Sequence, residues 1–142
     1  MNNEVLVVGS VAFDTIENAN GSVQRVLGGA ASYASVCASY FASPSVVGVV
    51  GTDFTAADRA PFVKRGVNLD GLEVKEGKTF HWGGSYDKDF NTAVTRFTDL
   101  NVFQNFNPVL NENQKNAKAV FLANIDPELQ LSVLNQVKNP QI

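Results

Sequence analysis

The residues with the most chemical reach in this 142-residue chain are Asp14, the adjacent pair Gly28-Gly29, and Asn124. A carboxylate accepts hydrogen bonds, an amide side chain both donates and accepts them, and paired glycines leave backbone amides open to close approach. Side by side, these groups make a cradle for a molecule carrying several hydroxyl groups. Each also has a plainer reading: Asp14 as a turn residue, Gly28-Gly29 as a tight strand-to-helix turn, and Asn124 as a loop residue. Only the elements that carry them can decide whether they meet.

Those elements are legible from apolar patterning. The runs "VLVV" from Val5, "VVGVV" from Val46 and "AVFLA" from Ala119 are continuous and β-branched, as in strands buried on both faces of a parallel sheet. Between and after them lie helical patterns over Ala30 to Phe41, about Thr55 to Arg65 with Gly66 as its stop, and Pro127 to Lys138, where Asp126 caps the first amides. The alternation is α/β. In an open parallel sheet, ligands bind beyond the carboxyl ends of the strands. Asp14 follows the first strand, Gly28-Gly29 opens the helix leading to the second, and Asn124 follows the third, so the three converge on one edge.

Other segments have an extended texture. The first strand continues through "SVAFDTIE", turns at "NANGS" and returns as "VQRVL", Asn-Gly being a strong hairpin signal. "TFHWGGSY" puts Phe80, Trp82 and Tyr86 on one strand face before "DKDFN" turns the chain into "TAVTRFT". These pieces form a small antiparallel sheet outside the main layer. On the first helix, Ser32, Ser35 and Ser39 share one face, while Ala30, Ala34, Cys37, Ala38 and Phe41 form an apolar stripe suited to close packing on the sheet. Ser32, in the first turn, is within reach of a ligand.

Composition narrows the function. The chain is 44% hydrophobic and 18% charged, with a net charge of -3 and no lysine/arginine cluster, so neither nucleic acid nor a membrane surface is an expected partner. A single cysteine, Cys37, excludes a disulfide framework and points to a reduced, cytoplasmic setting. "VVGSVAFD" has one glycine where a dinucleotide fingerprint needs three, and no Walker lysine follows a glycine-rich loop. His81, the only histidine, reads as a surface residue without metal or triad partners, and Asp53 reads as the cap of the helix that follows.

In order along the chain, "VVGSVAFD", a hairpin, "VLGGAASYAS", "VVGVVGTDF", "KRGVNLDGL" and "KTFHWGGSY" resemble the N-terminal half of the PfkB/ribokinase family of sugar and nucleoside kinases. The resemblance implies one ribokinase-like domain portion over residues 1–142, a parallel sheet with helices and a small antiparallel lid at about 10–27 and 74–99. It implies a sugar or nucleoside held between sheet and lid, with Asp14 on substrate hydroxyls and Gly28 and Gly29 giving the substrate access to the backbone. Ser32, Tyr33, Phe80, Trp82 and Asn124 complete the implied binding set, and the lid would join a homodimer. Tyr33 stands where the family usually has asparagine, so the preferred substrate is expected to differ from ribose-like sugars. The family's Gly-x-Gly-Asp catalytic stretch belongs to a C-terminal half that has no counterpart here, "GGSYD" and "GTD" being superficial matches. ATP and magnesium are therefore implied for a complete kinase and not for this apparently truncated portion, which is expected to be inactive alone. An unfinished βα unit is also expected to leave the chain marginal, self-associating, or part of something longer.

Overall fold

The computed structural model describes residues 5–138. It contains two four-stranded sheets. The first is entirely parallel, with strands β1 (Val5–Val8), β4 (Pro44–Gly51), β5 (Asn68–Lys75) and β8 (Ala119–Leu122) in the order β5-β4-β1-β8. All of β4 is buried, as its unbroken apolar run requires. Alternation along β1 feeds two cores: Val7 packs with Ala31, Phe54 and Phe62 on one side, while Leu6 and Val8 pack with Phe106, Leu110 and Val133 on the other.

β5 is an element the apolar runs do not announce. Its sequence, "NLDGLEVK", has only Leu72 buried, because it lies at the sheet's edge with Asp and Glu facing solvent. A 3-10 turn over Asn101–Asn105 and a short helix α3 (Glu112–Lys115) likewise lie in stretches without periodic signal.

Helix α1 spans Ala30–Ala38, α2 spans Ala56–Lys64 and α4 spans Pro127–Leu134, each inside its expected range. Asp126 caps α4 by accepting from the Glu128 amide at 2.8 Å. The packing face of α1 is corrected: Ala31, Ser32 and Ser35 are the buried residues, while Cys37 and Phe41 are exposed. On this face Ser35 Oγ donates back to the Ser32 carbonyl at 3.1 Å and the partly buried Ser39 Oγ to that of Val36 at 2.6 Å, while the small size of serine suits close packing on the sheet.

The first strand does not continue past Val8. The chain leaves the first sheet over 9–11 and enters the second at β2 (Ala12–Asn18), which pairs with β3 (Gly21–Gly28) through the expected Asn-Gly hairpin. β6 (Phe80–Tyr86) and β7 (Ala93–Asp99) complete the order β3-β2-β6-β7. This sheet is mixed and not purely antiparallel: its outer pairs are antiparallel hairpins, but the central β2·β6 pair is parallel. The chain crosses back through β4 and β5 between the two hairpins, so β6 starts from the same end as β2. Residues 1–4 and 139–142 of the expected unit lie outside the described residues. Among the described residues no helix is long and apolar enough to cross a membrane.

Candidate functional site

Asp14 sits in β2 directly opposite Val26 of β3 and Trp82 of β6. Strand alternation places Ala12, Asp14, Phe80 and Trp82 on one face of the second sheet, with Phe13, Thr15 and His81 on the other. The Asp14 carboxylate is half-buried, and burial pushes its pKa above the ordinary carboxylate value, partly offset by the nearby His81.

The glycine pair has a steric reason. A Cβ at Gly28 would fall on the Asp14 carboxylate, and one at Gly29 would fall on the Ser10 carbonyl and the Ala12 amide. Gly29 also has φ +92°, a conformation that side chains disfavour. The pair therefore first admits the chain's own Asp14 and Ser10, and so seats the carboxylate at the mouth of α1.

Ser10 is the member of this group that sequence reasoning missed. Its Oγ accepts from the Ala30 amide at 3.0 Å and its carbonyl accepts from the Ala31 amide at 3.0 Å, so it caps α1 through space. The available signal was that Gly29, the local N-cap, has no side chain to do this.

The other expected residues divide. Trp82, in register beside Asp14, lies over Gly84, donates from Nε1 to Thr95 Oγ1 at 3.3 Å and meets Tyr86 edge-on at 6.5 Å. Phe80 shares the face, but its ring stacks on Phe103 at 5.3 Å. Tyr33 is 62% exposed, and its hydroxyl donates to the Leu27 carbonyl at 3.3 Å. Ser32 is enclosed at 2% exposure, its hydroxyl without a hydrogen-bond partner among the described residues. Asn124 is exposed just beyond β8. The structure thus brings Asp14 against Gly28 at the mouth of α1, with Trp82 on the same sheet face but its ring turned to Gly84, Thr95 and Tyr86, and leaves Phe80, Tyr33 and Ser32 engaged or enclosed elsewhere.

Two readings are corrected. His81 is half-buried, with Nε2 2.8 Å from Thr15 Oγ1 and its ring edge-on to Phe97 at 5.0 Å. Asp53 does not cap α2. Thr55 is the N-cap and shares a capping box with Asp58, while Asp53 Oδ1 accepts from the Thr79 amide at 2.8 Å and its hydroxyl at 2.7 Å. The turn after β4 aims Asp53 at the start of β6, two residues too early for the helix. "GGSYD" is explained by sterics as well: Gly83 leaves room for the Phe97 ring and Gly84 for that of Trp82.

A parallel sheet flanked by helices, a second small sheet and a carboxylate at their junction define the class: the fold is ribokinase-like, and the chain carries about half of it. The chain is 25% identical to a nucleoside kinase of Methanocaldococcus jannaschii, an archaeal member of the ribokinase family, with a TM-score of 0.73 over 99% of this chain and 51% of that one. A ribokinase from Cryptococcus neoformans, solved with ADP, is 16% identical with a TM-score of 0.68, over 84% of this chain and 42% of that one. In sequence, the chain is 27% identical over 141 residues to a cytidine kinase of Thermococcus kodakarensis, covering 98% of this chain and 50% of the relative. No family model matches the chain. It spans about half the length of these relatives, all of them nucleoside or sugar kinases.

Proposed function

We propose that the chain is the substrate-binding portion of a kinase that phosphorylates a hydroxyl of a nucleoside or sugar, working in the cytoplasm. One observation carries this reading: a half-buried carboxylate, Asp14, is held against Gly28 at the N-terminus of α1, with Trp82 its register partner on the same face of the sheet. Asp14 accepts hydrogen bonds from ligand hydroxyls, and Trp82 covers the ligand's apolar or aromatic face. The names of the archaeal relatives favour a nucleoside.

Phosphoryl transfer also needs a proton acceptor and a magnesium-nucleotide platform. Among the described residues no three or more histidine, cysteine, aspartate or glutamate side chains come together as a metal ligand set. For a complete kinase, the family resemblance implies that ATP and magnesium are handled by the C-terminal half. Calorimetry against a panel of nucleosides and sugars tests the reading: one class should give heat, and Asp14→Ala should abolish it. Binding that survives Asp14→Ala would remove the carboxylate from the site.

A second reading, a non-catalytic relative that dimerises through the second sheet, is favoured by one feature. β3 is a free edge strand exposed from Gly21 to Val26, with Val23 and Val26 facing solvent.

A further inference from the structure

Arg25 has an uncomfortable backbone and an unusual reach. Its φ is +51°, at a bulge where β3 spends three steps, Val26 to Val23, against two in β2, Asp14 to Ile16. Its amide donates to Thr15 Oγ1 at 3.3 Å, and its guanidinium lies 3.8 Å from the centre of the Phe13 ring. Phe13 and Thr15 are the two neighbours of Asp14 in β2. Beyond them the guanidinium crosses to the first layer, donating to the Asp53 carbonyl at 2.7 Å and approaching the Asp58 carboxylate at 3.4 and 3.5 Å.

The second sheet is thus fastened at two places around Asp53. The Asp53 carboxylate holds Thr79, which is buried and leads into β6, through bonds of 2.7 and 2.8 Å. Arg25 holds the β2–β3 hairpin through its 2.7 Å bond to the Asp53 carbonyl and longer contacts to Asp58, from a side chain 44% exposed. The first fastener ends on a buried residue, and the second lies toward solvent, where an ion pair is weaker.

We propose that Arg25 is a positioning residue, a latch that ties the β2–β3 hairpin to the first turn of α2 and thereby sets where the Asp14 carboxylate stands over Gly28. The latch rests on the proposed function only in taking Asp14 as the ligand-facing group. Glycine at position 25 suits the left-handed backbone better than arginine, so Arg25→Gly removes the latch while relieving strain, and Arg25→Gln removes the charge at similar reach.

The test reads both variants without ligand. In each, the Asp14 carboxyl, followed by carbon-13 NMR titration, should move back toward the ordinary carboxylate range. Amide exchange in β2 and β3 should quicken by about tenfold, which corresponds to about 1.4 kcal/mol of local opening, while β1 and β4 stay as in the parent. A merely structural role for Arg25 also quickens exchange in the hairpin but leaves the Asp14 titration unmoved, so the titration carries the distinction. Unchanged titration in both variants would overturn the latch, as would Arg25→Gly stabilising the protein with Asp14 undisturbed. Calorimetry then separates the two claims. If the parent binds a nucleoside or sugar, the variants should bind about tenfold more weakly; if the parent binds none, the functional reading fails while titration still decides the latch.

Discussion

Gly28 and Gly29 stand side by side for different reasons, and their alanine variants should separate them. At Gly28 the added methyl meets a side chain, the Asp14 carboxylate, which can rotate away; a cost of about 1–3 kcal/mol is expected, with loss of the site's geometry. At Gly29 it meets backbone that cannot rotate away, and the φ of +92° alone costs about 1–3 kcal/mol. Urea denaturation should therefore rank Gly29→Ala as the more damaging change, and equal losses would mean that Asp14 does not rest on Gly28. Asp14 itself is held at a cost. Its pKa is raised in the folded state chiefly by burial, so the folded protein binds the proton more tightly than the unfolded chain does. The penalty is complete above the folded pKa and is relieved as pH falls through it. Asp14→Asn should accordingly stabilise the protein at neutral pH, the gain shrinking with acidification; thermal melts that show no such pH-dependent gain would contradict the burial described. Asp14 and the glycine pair were legible in the sequence because they follow strand signals locally. Ser10 and Arg25 were not, because each acts on residues far along the chain, which spacing alone does not encode.

The strands with continuous β-branched runs and the well-capped α4 were readable because their burial is set by local pattern. β5 was hidden because an edge strand needs few apolar residues, and the buried face of α1 was misassigned because it is made of small residues, Ala31, Ser32 and Ser35, that polarity alone does not mark as buried. The second sheet's central parallel pair was hidden for another reason. Each hairpin announces itself, but nothing local states how two hairpins dock. β8 carries a further consequence at this scale: among the described residues it is paired on one side only, and its Phe121 is 52% exposed. An apolar residue on an open edge strand favours association between copies. Sedimentation of this chain should show concentration-dependent association that Phe121→Lys weakens. A monomer that persists unchanged at high concentration would speak against that role for the edge.

At the level of the whole molecule, two layers share one polypeptide that passes back and forth between them, and the candidate site exists only at their seam. About half of the length of the ribokinase-like relatives is spanned, and both sheets lie within it. The order of β2 and β6 in the chain also governs when the site can exist. Thr15 and His81, which bond between β2 and β6 within the second sheet, are 66 positions apart, and all of β4, α2 and β5 lies between them. Closing so long a loop has an entropic cost that local hairpin contacts do not recover. On a ribosome, where the N-terminal part emerges first, Asp14 waits without Trp82 until residues through Tyr86 have left the exit tunnel. The first hairpin therefore spends that interval with the inner edge of β2 unpaired, open to mispairing until β6 arrives.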